Sequence, residues 1–198
     1  MVADQLYNSI YQYYGETNFA HIFVDVNRVP ANVVDDLLSI DGIDQVQGRV
    51  VSDVPLRVED PNEKVNVRIV SVPSNDDQIN SLYILSGEEL RPGTRTTAVL
   101  KQFFVGRNME IGDTIRPYIG GTEYSLEVVA EVGNPEYIYL MENEQALLPD
   151  EKGFGVIYVP EEFAQSALGF QGSYNNIIVT IDENQENRID IIADDIED

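Results

Sequence analysis

After Gly120 and Gly121 the apolar side chains fall on even numbers, Tyr124, Leu126, Val128, Ala130 and Val132, which is the two-residue period of a half-buried strand. Before the pair, Ile115 and Ile119 keep the same alternation, and two glycines in succession supply the positive φ angles that a tight two-residue turn requires. Residues 111–132 therefore read as a β-hairpin with one solvated face. The Gly112–Asp113–Thr114 run ahead of it suits that geometry, since Gly and Asp turn a chain and Thr opens a strand well.

Helical and extended periods alternate through the rest of the chain. Tyr7, Ile10, Tyr11 and Tyr14 lie at helical spacing ahead of Gly15, which predicts a short amphipathic helix within residues 1–18. Ile22, Val24 and Val26 predict a strand, and Val34, Leu37 and Leu38 the inward face of a helix running from about Ala31 to Gly42. Val46, Val50, Val54, Leu56 and Val58 then line one side of a long strand. Glu59, Asp60, Pro61 and Asn62 turn the chain, and Val65, Val67 and Ile69 return it.

The first strand and helix recur near the C-terminus, where Ile177, Val179 and Ile181 echo Ile22, Val24 and Val26, and Asn187, Ile189 and Ile192 echo Asn32, Val34 and Leu37. Such a repeat predicts an α+β fold. A discontinuous lobe of two βαβ-type units, residues 19–83 and 156–198, is expected to be split by an inserted, mainly β lobe over 84–155, reached through the turn-rich LSGEELRPG and GFG. The last helix runs to Asp198 with no capping glycine and no following strand, so the chain is expected to be cut from something longer.

Charge and residue usage narrow the function. The chain has 35 acidic against 12 basic residues, a formal charge of -23, which repels nucleic-acid phosphates and anionic headgroups. Nucleic acid is therefore not an expected partner. No run approaches the ~20 consecutive apolar residues of a membrane span, and the N-terminus lacks the regions of a signal peptide. The absence of cysteine excludes a disulfide framework, a thiolate zinc site and a cysteine nucleophile together.

No candidate catalytic group carries a motif. His21, the single histidine, lies on the polar phase of a strand with no nucleophile or orienting acid at a recognisable spacing. Ser86 lacks the flanking glycines of a nucleophile elbow and reads as a turn serine. The acidic groups Asp35–Asp36, Asp76–Asp77, Glu88–Glu89, Asp182–Glu183 and Asp194–Asp198 lack the alternating ligands and central glycine of a calcium loop and read as solvated faces. A glycosidase pair cannot be picked among so many acids, and the absence of tryptophan removes the usual sugar platform. Tyr137 and Tyr139, one strand face of NPEYIYL, are the candidate partner contact, because tyrosine brings large area at small entropic cost. Packing between the lobes is the alternative for both rings.

The ordered set YQYYGETNFAHIFVDVNR, IDGIDQVQGRVVSDVPL, LSGEELRPG, IGDTIRPYIGGTEYSLEVVAEVGNPEYIYL, ALLPDEKGFGVIYVPEEF and GSYNNIIVTID covers most of the chain. It resembles the extracytoplasmic, MacB-like periplasmic core domain of FtsX-like ABC-transporter permeases. No one of these motifs is diagnostic alone; their order carries the likeness. The resemblance implies a porter-like α+β lobe with an inserted β lobe, held between two membrane helices of the same permease on the extracytoplasmic side of the cell membrane. It further implies mechanical rather than chemical work. A cytoplasmic ATP-binding subunit or domain would drive the membrane helices, and this domain would pass their motion to a substrate or protein partner outside. The N-terminal helix would extend the first membrane helix or, alternatively, pack on the sheet. On this reading the domain is not itself an enzyme, and no cofactor or metal is expected. The competing readings are a secreted ligand-binding module with a cleft between two lobes, and a hydrolase with strongly perturbed acids in a pocket.

Overall fold

The structure, a computed structural model, describes residues 18–60, 62–74, 78–137 and 152–197. The helix expected within 1–18 and the pair Asp76–Asp77 lie essentially outside them, as does Tyr139. In chain order the elements are β1 (Ile22–Pro30), α1 (Ala31–Asp36), a 3-10 turn (Leu37–Ser39), β2 (Ile43–Arg49), β3 (Val51–Leu56), β4 (Val65–Val72), β5 (Tyr83–Gly87) and β6 (Thr96–Leu100). There follow α2 (Lys101–Gly106), β7 (Thr114–Ile115), β8 (Tyr118–Ile119), β9 (Thr122–Glu123), β10 (Leu126–Gly133) and a 3-10 turn (Pro135–Tyr137). The chain closes with β11 (Phe154–Pro160), α3 (Glu161–Leu168), β12 (Ser173–Ile181), a 3-10 turn (Glu186–Arg188) and α4 (Ile189–Glu197). The fold is α+β, as the periodicity predicts.

The repeated βα units share a small sheet ordered β1-β12-β2, with β12 antiparallel to both neighbours. Ile22 lies opposite Val179 and Val24 opposite Ile177, so the two echoing strands are direct partners. One face of this sheet carries Ile22, Ile43, Ile177, Val179 and Ile181, and α1 and α4 cover it with Val34 and Ile192. Leu37 packs there too, but Leu38, expected inward, is exposed. The helix tightens into a 3-10 turn at Leu37, and three residues per turn rotate Leu38 off the buried face.

The second sheet runs β3-β4-β11-β6-β10-β5, with β7 added to β10. β4 and β11 are parallel, as are β6 and β10. β11 is buried at every residue, as a central strand covered on both faces must be. β10 shows the expected alternation, with Leu126, Val128, Ala130 and Val132 buried. The hairpin itself is shorter than the alternation suggests. Gly120 and Gly121, at φ 57° and 82°, join only the two-residue strands β8 and β9, and β10 then runs on into the larger sheet.

The structure differs from three further expectations. The long strand over residues 46–58 is two strands in different sheets, β2 and β3, with the change at Val50. Even-numbered residues face inward on both sides of that change, so period alone carries no sign of it. The sheets consequently divide the chain otherwise than at 83/84 and 155/156. β3 and β4 hydrogen-bond through β11 and β6 to β10, and so belong with the strands of the expected insertion. Ser86 lies in the edge strand β5, its hydroxyl 3.2 Å from Glu131, rather than in a turn.

Candidate functional site

The face of the small sheet away from its helices is mostly polar, with one buried apolar residue, Ile178, packed against Ala20 and Ile79. On β2, Gln45, Gln47 and Arg49 alternate with Val46 and Gly48; on β12, Asn176 and Thr180 alternate with Ile177, Val179 and Ile181. Two segments from outside the strands satisfy this face. Asn18 donates its side-chain amide to Gln45 at 2.7 Å, and the Ile79 N–H donates to Gln47 at 2.9 Å.

Arg49, only 3% exposed, is the centre of the junction with the larger sheet. It ends β2 one residue before the chain changes sheets. Its guanidinium grips Glu136 in a two-pronged pair at 2.7 and 2.9 Å, and its Nε donates to Asn176 Oδ1 at 2.8 Å. Asn176 in turn donates to Asp25 on β1 at 2.7 Å. Glu136 arrives from the 3-10 turn that follows β10, positioned by Asn134, whose Oδ1 accepts the Glu136 N–H at 2.8 Å. Asn80, in the left-handed region at φ 54°, ties three segments: it donates to Glu136 at 2.8 Å and accepts from Ala20 N–H at 2.8 Å, while its carbonyl accepts from Asn134 at 3.2 Å.

Burial alone would raise the Glu136 pKa, but hydrogen bonds and charge from Arg49, with a further bond from Asn80, hold it below the usual carboxylate range. The pair is therefore ionised and matched. A second two-pronged pair, Arg68 with Asp53 at 2.7 and 2.8 Å, lies across a cleft of about 500 Å³ between the sheets, whose walls also include Phe23, Asn175 and Tyr137. Asn175 adds a direct clip from β12 to β3, donating to the Val51 carbonyl at 2.7 Å and accepting its N–H at 2.8 Å.

The candidate residue Tyr137 is half-buried against the larger core. Burial and the Glu136 charge push its phenol well above the ordinary tyrosine range. His21 is exposed, with its Nδ1 accepting the Ile181 N–H at 3.0 Å, a bond that ties the start of β1 to the end of β12. Among the described residues no group of three or more His, Cys, Asp and Glu side chains is placed to hold a metal ion. Likewise, no described helix is long and apolar enough to cross a membrane.

Arg49, Glu136, Asn80, Asn134 and Asn176 were not legible as a site. The one signal was the polar phase of QVQGR and SYNNIIVT, which a solvent-facing strand would show equally well.

Two sheets, one flanked by the repeated βα units and the other mostly β, define an α+β domain. Solved structures share this arrangement. The extracellular domain of the ABC-type transporter YknZ from Gram-positive bacteria superposes with a TM-score of 0.55 at 16% identity, over 85% of this chain and 84% of that one. The periplasmic region of MacB from Actinobacillus actinomycetemcomitans gives 0.51 at 13% identity, over 89% of this chain and 77% of that one. No protein-family model matches the sequence, and no curated protein matches it.

Proposed function

We propose that the chain is the extracytoplasmic domain of an FtsX/MacB-like ABC-transporter permease, coupling ATP-driven movement of membrane helices to a substrate or partner outside the membrane. The observation that carries this reading is the fold shared with the YknZ extracellular domain across most of both chains. The topology agrees with it. The first and last strands, β1 and β12, are hydrogen-bonded neighbours in the small sheet. A displacement applied through either end of the domain therefore enters that sheet, and reaches the larger one through the Arg49–Glu136 junction and the chain crossings beside it. The ATPase resides in a separate domain or subunit.

In the full-length protein, a cysteine replacing exposed Asp44 or Glu127 is expected to react with a membrane-impermeant maleimide in intact cells, and the protein to sediment with membranes. Tyr137 and Tyr139 remain the proposed partner contact. Alanine at both is expected to weaken substrate export or partner capture with the thermal midpoint unchanged; a large fall in the midpoint assigns the pair to packing, a role the half-buried setting of Tyr137 also suits.

Capture of a small polar ligand is the second reading, favoured by the volume and polar walls of the cleft. Against it, the arginines and amides of those walls are already bonded within the protein, Arg49 to Glu136 and Asn176, Arg68 to Asp53, and Asn175 to the Val51 carbonyl.

A further inference from the structure

We infer that the two sheets hinge about Val50, and that the Arg49–Glu136 pair is the clasp that holds them closed. The packing makes such a motion inexpensive. Each sheet keeps its own hydrophobic core, and among the described residues Tyr174 is the one side chain that packs against both. Where the sheets face each other the contact is mostly polar, its apolar part limited to the small cluster of Ala20, Ile79 and Ile178, and it leaves the cleft of about 500 Å³. A polar, incompletely filled interface permits relative movement that a large apolar one forbids.

The crossing has the form of a pivot. Val50 is the single residue between β2 and β3, and it is pinned to β4 of the larger sheet: its N–H donates to Ser71 Oγ at 2.8 Å and its carbonyl accepts the Ser71 N–H at 2.9 Å. Movement is thereby directed to the residues just before it. Gly48 has no side chain there because the Tyr174 ring occupies the space, a Cβ at that position falling 2.2 Å from it. The Tyr174 hydroxyl is bonded at 2.8 Å to Glu161, the first residue of α3, so this ring is held from the larger-sheet side and lies on the backbone of the smaller one.

The clasp has the energetics of a release. A buried ion pair gains strong attraction at the cost of desolvating both charges, so the two nearly balance. Opening toward the cleft returns water to both groups. Closed and open arrangements can then lie close in free energy, which a fused apolar interface would not allow.

The chain has no cysteine, so spin labels on Asp44→Cys in β2 and Glu127→Cys in β10 occupy the only thiols. In the 198-residue chain the pair is expected to give one narrow distance distribution by electron double resonance. Adding Glu136→Gln, which keeps the shape and removes the charge, should introduce a second, longer population while the circular dichroism stays native. Should that variant fail to fold, Asn176→Ala, which loses the Nε tether and the bond to Asp25 but leaves the ion pair in place, is expected to broaden the same distribution. A distribution unchanged in the folded variant overturns the hinge. The inference gives the proposed permease function its moving part, but the distance measurement needs no membrane. A rigid result leaves the cellular placement intact, and a failed placement leaves the hinge intact.

Discussion

Arg49→Met is expected to lower the unfolding free energy by about 3–5 kcal/mol, the cost of leaving a buried charge unpaired. Glu136 would keep its burial and lose both guanidinium bonds, and Asn176 would lose the Nε donor. Urea denaturation reads the loss directly. The companion variant Arg49→Met with Glu136→Leu should recover part of it, because replacing both charges by apolar groups leaves no buried charge unpaired, while Asn176 and Asn80 each still lose one partner. A double variant as unstable as the single one would place the energy in the amide network rather than in the pair.

The pH dependence follows from the direction of the Glu136 shift. Its folded-state pKa is depressed by Arg49 and Asn80 against the opposing effect of burial, so its contribution is complete above the unfolded carboxylate value and is lost as pH falls through the folded one. The stability gap between the parent chain and Arg49→Met should therefore be widest where Glu136 is ionised in both, begin to narrow as pH falls through the burial-raised value of the unpaired Glu136 in the variant, and close below the depressed value in the parent.

The second large effect is expected in the core of the larger sheet. Phe103 is fully buried, and its ring lies over Gly155 so closely that a Cβ there would stand 2.3 Å from it. Phe103→Ala should cost about 3–5 kcal/mol through lost transfer energy and the cavity left behind. Gly155→Ala should cost about 1–3 kcal/mol by forcing the ring out of its place. The two changes meet in one space, so the double variant should be less unstable than the sum of the singles, the added methyl occupying part of the hole. Additive losses measured by urea denaturation would mean that the ring relaxes away from Gly155 without strain.

The strands and the repeated βα units were legible because their inward residues keep period 2 in every case: Leu126 to Val132 on β10, Val65 to Ile69 on β4, and Ile177 to Ile181 on β12 are all buried as spaced. The Gly120–Gly121 turn was legible for a different reason, since two positive φ angles in succession suit glycine far better than other residues. The change of sheet at Val50 was hidden, because Val46 serves one core and Val50, Val54 and Leu56 the other on the same parity. The junction was hidden for a further reason. A polar strand face looks alike whether water or a second sheet covers it, and only the partner segments, 78–80 and 134–136, distinguish the two. Those partners lie far from Arg49 in sequence, with Glu136 separated by 87 positions, and carry no motif.

The resemblance to permease domains was carried by segment order, and the shared fold of the YknZ and MacB regions gives it a structural counterpart. Cellular placement is the claim on which the rest of the functional account depends. The most direct measurement is impermeant-maleimide labelling of Asp44→Cys and Glu127→Cys in the full-length protein, in intact cells and again after lysis. The account predicts full labelling of both positions before lysis, in a protein that sediments with membranes and co-purifies with an ATP-hydrolysing subunit or carries that activity itself. Labelling only after lysis would place the domain on the cytoplasmic side and contradict it.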